Sequence, residues 1–292
     1  FAASPASPFS DLNRFGWTLE SHSWYMLYWG GLTAILFVLG FGMFQRGPAQ
    51  SLAVRYQQLR YQIGAGGQAV ILLGSLVFVS SGGWIYYNTR VLNQYDSAEQ
   101  QMDLQADYEK AYKAGADEPI LVARKVEAFV DIYPEQRQVD ARIEQTLVNK
   151  FDKPVSKMLV NWPKYTRSME IIAPGATLSP RDNRLGTAWL EFSTPVQPGE
   201  TIAMTIKLSR TNPGFQDDDV DVAVVENGTF INNAELLPQF GYNAGFELQE
   251  RHERSKRGLE PVQRAYKLED SSRYTESGFG RAEDFIDFSA TV

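Results

Sequence analysis

The stretch ETIAMTIKLS, Glu200 to Ser209, decides the reading of the larger part of this chain. Ile202, Met204, Ile206 and Leu208 alternate with Thr201, Ala203, Thr205 and Lys207. Successive side chains of a strand point to opposite faces, so this pattern describes a strand with one buried face. The same period runs outward from it. In VEAFVDIY, Val126, Ala128, Val130 and Ile132 take alternate places. In RQVDARIEQTLVN, Val139, Ala141, Ile143 and Leu147 face one way, while Asp140, Arg142, Glu144 and Thr146 face the other. Pro134 and Glu135 mark the turn between these two. Further turn signals stand at APGA (from Ala173), SPRDN (from Ser179), QPGE (from Gln197) and TNPG (from Thr211). Strands divided by short turns imply an antiparallel β-sandwich-like domain over 119–292.

The N-terminal part follows another pattern. From Ser21 to Gln45, SHSWYMLYWGGLTAILFVLGFGMFQ has no Asp, Glu, Lys or Arg, and neither has YQIGAGGQAVILLGSLVFVSSGGWIYYNT from Tyr61 to Thr89. A spanning helix needs about 20 such residues. Transmembrane helices are therefore expected over 23–45 and 64–89. Trp24, Tyr25, Tyr28 and Trp29 open the first run, and Trp84, Tyr86 and Tyr87 close the second. These ends would share one membrane interface, where Trp and Tyr are favoured. The connecting segment holds Arg46, Arg55 and Arg60 and no acid, which makes 46–63 a cytoplasmic loop by the positive-inside rule. Residues 1–22 and 90–292 are then extracytoplasmic, and the membrane is taken as a bacterial inner membrane. Gly30 with Ala34, and Gly74, Gly82 and Gly83, read as helix-packing positions. Neither span contains an Asp, Glu, Lys or Arg for an ion or proton relay.

Between the two parts, the polar run after Arg90 reads as a helix ending near Gly115. It is expected over 90–118, as a stalk or as a helix lying on the β domain. The fold class is thus a membrane protein of α plus all-β type.

Composition excludes several functions. Net charge is −7, and residues 89–292 hold most of the acid, which argues against nucleic acid. The chain has no cysteine, so disulfides, thiolate catalysis and cysteine metal sites are ruled out. GAGGQAV, from Gly64, lacks the lysine of a phosphate-binding loop, and any ATPase would be a separate subunit. The start FAASPASPFSDLNRFG has neither an initiator Met nor the form of a signal peptide, so the chain is expected to be an excerpt or a processed product.

A family resemblance arises from the order of motifs: VNK, then LEFSTPVQPGETIAMTIKLS, ENGTF and LLPQFGY. This order resembles the N-terminal β domain of the aminopeptidase N-type zinc metallopeptidases, the gluzincins. SPFSDLNRFG, GGWIYYNTRVLNQY, YEKAYK, DIYPEQRQV and NGTFINNAELLPQFGY together resemble bacterial membrane proteins that join an ABC-type permease to such a domain. The resemblance implies that the hairpin is the last transmembrane pair of a permease. It implies further transmembrane segments, a separate ATPase and a peptide substrate as partners. It also places Gln239 where the family offers polar groups to a substrate's amino end. The other reading of Gln239 is a turn residue after Pro238.

The family's His-Glu-x-x-His motif uses two imidazoles at i and i+4 for zinc and the Glu as general base. This chain has two histidines, His22 and His252. HERSK begins with His252 and Glu253, but Lys256 stands where the second imidazole belongs. No catalytic residue and no metal ligand is assigned, and zinc is expected only in a catalytic domain of the parent protein beyond the interrupted strand DFIDFSATV. Asp217, Asp218, Asp219 and Asp221 lack the spacing of a calcium loop and read as solvated. Arg251, Arg254, Lys256 and Arg257 form a basic cluster that internal acids are expected to pair. The functional expectation is a membrane-anchored, non-catalytic segment whose β domain frames a peptide-handling module. The alternatives are an accessory peptide- or protein-binding subunit of an ABC-type transporter and a purely structural anchored domain.

Overall fold

The structure, a computed structural model, describes residues 4–7, 9, 11, 14–16, 18–44, 51–93, 96–216, 223–226, 228–262, 269, 271 and 284–292. Arg46, Asn227 and the aspartates at 217, 218, 219 and 221 lie outside the described residues. The chain divides into two units, one of residues 1–95 with 212–229, the other of 96–211 with 230–292.

In the first unit the uncharged runs form α1 (Thr18–Met43) and α2 (Leu52–Tyr86). Both are long and apolar enough to cross a membrane. Large apolar side chains such as Phe37, Leu72, Leu76 and Val79 stay exposed along them. The helices cross at glycine: a Cβ on Gly31 would lie 2.9 Å from the Gly74 carbonyl oxygen, and one on Gly74 3.0 Å from that of Gly31. Gly30, by contrast, has open space around it, and beside it runs a groove of about 710 Å³ lined in part by Met26, Ala34, Val70 and Leu73.

The segment expected as a loop over 46–63 is helical from Leu52. Its Leu, Arg and Gln residues favour helix, and Leu59 and Ile63 close over Gly42. The helix is interrupted at Gly64, whose φ of 57° and ψ of −172° suit glycine alone. α2 ends in a π-helical turn, Tyr87–Leu92. There Asn88 Nδ2 donates to the Trp84 carbonyl at 2.9 Å and Thr89 Oγ1 to that of Ile85 at 2.9 Å. The loop after residue 211 rests on this turn. Asn93 Nδ2 donates to Pro213 O at 2.9 Å, and a Cβ on Gly214 would collide with the Asn88 side chain. A short antiparallel pair follows, β8 (Val224–Val225) with β9 (Gly228–Thr229), Val224 opposite Thr229.

The second unit begins with α3 (Ala98–Tyr112), started by a capping box in which Ser97 and Gln100 satisfy each other's backbone N–H. Of the two arrangements the sequence left open for this polar helix, α3 has the packed one, with Ala106, Tyr108 and Glu109 buried. The strands are β1 (Leu121–Tyr133), β2 (Gln138–Asn149), β3 (Val155–Asn161), β4 (Thr166–Ile172), β5 (Ala176–Leu178), β6 (Thr187–Val196), β7 (Thr201–Thr211), β10 (Gln239–Phe240) and β11 (Asp287–Thr291). Two short helices join them, α4 (Asn233–Leu236) and α5 (Arg251–Lys256).

One sheet has the order β11-β1-β2-β7-β4, the other β10-β3-β6-β5. Each sheet buries one face. Val126, Ala128, Val139, Ile143, Leu147, Met204, Ile206 and Leu208 come from the first, and Val155, Met158, Leu190 and Phe192 from the second. The alternation in ETIAMTIKLS is thus realised, Met204, Ile206 and Leu208 inward and Thr201, Ala203 and Lys207 outward. One expectation is corrected: the first sheet is mixed, because β11 pairs parallel with β1, Lys125 opposite Asp287 through Phe129 opposite Thr291. A parallel neighbour needs a long crossover, and none of the turn signals shows it.

Candidate functional site

The charged and aromatic residues of the second unit converge where α3, α5 and the segment around β10 meet. On α3, Met102, Gln105, Glu109 and Tyr112 recur at helical spacing and form its inward stripe. A glutamate on such a stripe requires a partner. That partner is Arg254 of α5: its Nη1 donates to Glu109 Oε2 at 2.7 Å and its Nη2 to Oε1 at 2.7 Å, a bidentate pair. Arg254 is 1% exposed and Glu109 3%. Two more guanidinium protons go to carbonyls, one from Nη1 to Leu248 at 2.6 Å and that of Nε to Glu260 at 2.7 Å. Lys113 Nζ adds a contact to Glu109 Oε1 at 2.6 Å and reaches Glu247.

The electrostatics follow. Burial pushes the Glu109 carboxyl up, but the hydrogen bonds and charges of Arg254 and Lys113 together bring it below the usual glutamate value. Hydrogen bonding to Glu109 holds Arg254 above its ordinary value. Burial raises the Tyr242 hydroxyl, and its donation to Glu247 Oε1 at 2.9 Å raises it further.

Aromatic packing continues the cluster. The Tyr108 ring stacks on Tyr242 with centroids 5.5 Å apart and touches Phe246 at 5.4 Å. Its hydroxyl donates to Asn161 Oδ1 at 2.9 Å and accepts from Asn243 N at 2.9 Å. Asn161 Nδ2 in turn donates to the carbonyls of Gln239 (3.1 Å) and Gly241 (2.7 Å). The motif LLPQFGY is thereby fixed as an edge: β10 pairs with β3, Gln239 opposite Asn161. Gly241, with φ of 83°, turns the chain against Ile120.

The residues singled out in the sequence fall as follows. Gln239 is exposed on the edge strand, held through its carbonyl. His252 is exposed on α5, away from any ligand set, and His22 Nδ1 stands 3.3 Å from the Pro5 carbonyl oxygen. The residues present do not fit a zinc ion: Lys256 pairs with Glu99 at 3.1 Å and Glu253 with Arg257. Among the described residues no three of His, Asp and Glu gather to hold a metal. Three of the four basic residues of the cluster pair with acids of α3, Arg254 with Glu109, Lys256 with Glu99 and Arg257 with Asp103 at 2.7 Å. In the first unit Trp24 and Trp84 come within 5.8 Å, and Tyr28 stacks on Phe78 at 4.4 Å. Tyr86 and Tyr87 are exposed, Tyr25 and Trp29 half-buried, and Arg55 and Arg60 lie on the first segment of α2. The asparagine of VNK is structural: buried Asn149 donates to the carbonyls of Lys153 and Val196, each at 2.9 Å, and accepts from Phe151 N.

The sequence reading expected an internal acid for Arg254 but did not identify it as Glu109 on α3.

No family model matches this chain, and no curated protein matches it. Among solved structures it is similar to an M1 zinc metallopeptidase from Deinococcus radiodurans, at 12% identity and a TM-score of 0.26, over 36% of this chain and 26% of that one. A mutant of an M1 zinc metallopeptidase from the same organism, bound to a Tyr-Ser-Ala substrate, aligns at 12% identity and a TM-score of 0.27, over 42% of this chain and 31% of that one. A two-domain M1 zinc metallopeptidase mutant bound to L-tryptophan aligns at 12% and 0.27, over 41% and 31%. The chain thus spans between a quarter and a third of the length of these enzymes.

Proposed function

We propose that this chain is a membrane-anchored, non-catalytic segment of a protein that joins an ABC-type permease to an aminopeptidase-like module. Its β domain frames the peptide-handling part. The observation that carries this reading is the combination of two long helices with exposed apolar faces and a β domain whose most deeply buried charges, Glu109 and Arg254, are spent on each other. In this reading the helices sit in a bacterial inner membrane beside other permease helices, with a separate ATPase below them and residues 90–292 on the periplasmic side. Gln239, exposed on the β10 edge, contacts the amino end of a peptide. Zinc belongs to a catalytic domain elsewhere in the parent.

The second reading is an accessory subunit that binds a peptide or protein without any catalysis. The short, open β10 edge favours it, since an extended peptide can add to such an edge.

The polypeptide extracted from its native membrane decides between them. The fusion reading expects a mass far above 32.9 kDa, bound zinc and release of N-terminal amino acids from peptides. A zinc-free polypeptide without peptidase activity that still binds peptide sinks the fusion reading and leaves the accessory one. A polypeptide that remains in the soluble fraction sinks both.

A further inference from the structure

The turn WPKYT, residues 162–166, leads from β3 into β4 and carries one lysine, with Arg181 and Arg210 packed against its aromatic rings. Arg181, from the turn between β5 and β6, lies flat over Trp162, its guanidinium carbon 4.2 Å from the ring centroid. Its Nη1 reaches the Thr166 carbonyl oxygen at 3.5 Å. Lys164 Nζ stands 4.9 Å from the Tyr165 ring, and Arg210 lies 5.4 Å from the same ring, with Glu235 as its acid at 3.3 Å.

Among the described residues, Arg181 Nε, Trp162 Nε1 and Thr166 Oγ1 of this cluster reach no hydrogen-bond partner. Thr166 is only 6% exposed. Leaving one such group unpaired is unfavourable, and a native fold rarely does so without a reason. Burial alone pushes the Arg181 guanidinium below its ordinary value. Its neighbours show the usual arrangement instead. Arg184 has Asp107 at 2.6 Å, and the Asp182 carboxylate is turned into its own loop, accepting from Arg184 N and Leu185 N.

The three groups have one polarity in common. A metal ion is repelled by a guanidinium, and an apolar ligand leaves the donors as they are. An oxyanion brings several lone pairs and a charge, and arginine's planar fork is suited to it. We propose that Trp162, Thr166 and Arg181 form an oxyanion-binding subsite of the β domain, which takes the carboxylate or phosphate group of a small ligand. The indole stack holds the guanidinium, while a small shift of the Arg181 side chain turns the fork and the two other donors to the anion. This subsite is independent of the peptidase reading and involves neither Gln239 nor β10.

The test uses the full chain in detergent micelles, labelled with nitrogen-15, and follows the indole N–H resonance of Trp162, identified by its loss in Trp162→Phe. Sodium phosphate and sodium acetate are titrated separately, with sodium chloride at matched ionic strength as reference. The expected result is a saturable shift with a dissociation constant of about 1 mM or tighter. Arg181→Gln weakens it about tenfold or more, and Arg184→Gln leaves it unchanged. Saturation by phosphate alone assigns a phosphate-bearing ligand, and by acetate alone a carboxylate. Circular dichroism checks that the variants fold; should Arg181→Gln unfold, Thr166→Val replaces it, with a several-fold loss expected. Drift no different from chloride, or saturation that survives in the substituted chain, overturns the proposal.

Discussion

Glu109 and Arg254 show how much one buried contact depends on its second partner. Each is desolvated, and each is stabilised only by the other and by the groups around them. Removing the acid in Glu109→Ala leaves a buried guanidinium uncompensated. It is expected to cost about 3–5 kcal/mol in denaturant unfolding. The effect has a pH signature. Because the folded value of Glu109 is lowered, its contribution is complete above the ordinary glutamate value and is lost as pH falls through the folded value. Stability should therefore decline below about pH 4, and the decline should be shallower in Glu109→Gln. A slope unchanged by that substitution would show that other carboxylates carry the acid response. Tyr108→Phe tests the adjoining network: losing the hydroxyl orphans Asn243 N and one bond of Asn161, and about 1–2 kcal/mol should go with it in the same measurement. The sequence showed that the basic cluster around Arg254 would be paired internally but not with which acid, since Glu109 and Arg254 are 145 residues apart.

At the scale of elements, legibility followed periodicity. β2 and β7 kept the alternation that their sequences announce, and α1 and α2 occupy the uncharged runs. β11 did not declare itself as a partner of β1: all five of its residues are exposed, so no buried face imprinted a pattern. The helix over 52–63 was not announced by the sequence, because arginine and glutamine serve a loop as well as a helix. The glycines were legible in kind but not in place. Gly31, not Gly30, meets Gly74, because a one-residue step turns a side chain by a large angle around the helix. This yields a paired prediction. Gly31→Val should push α1 from α2 and cost about 1–3 kcal/mol in the denaturation of the detergent-solubilised chain. Gly30→Val, facing open space, should leave the midpoint nearly unchanged. Equal losses would place the helix contact elsewhere.

On the scale of the whole molecule, the absence of cysteine makes topology directly measurable, since any thiol introduced stands alone. In the proposed orientation, Lys207→Cys on the exposed face of β7 reacts with an impermeant maleimide in spheroplasts, and Arg60→Cys reacts only after lysis. The opposite labelling would invert the orientation. Labelling of both in spheroplasts would show that the hairpin does not cross the bilayer.

The parallel pairing of β11 with β1 has a consequence in time. β1 emerges early from the ribosome, and its antiparallel partner β2 follows after a single turn, so that pair can form at once. The other edge of β1 must wait until residues 287–291 are made, and long-range parallel pairing is slow. Throughout that interval an open edge is presented to every neighbouring nascent chain, a hazard for edge-to-edge association. The last strand to arrive is also the least buried, so amides of 287–291 should exchange with deuterium before those of any other strand of this sheet. A newly made molecule therefore passes through a stage with β1 unguarded on one side, and the time taken to translate the residues between β2 and β11 sets how long that stage lasts.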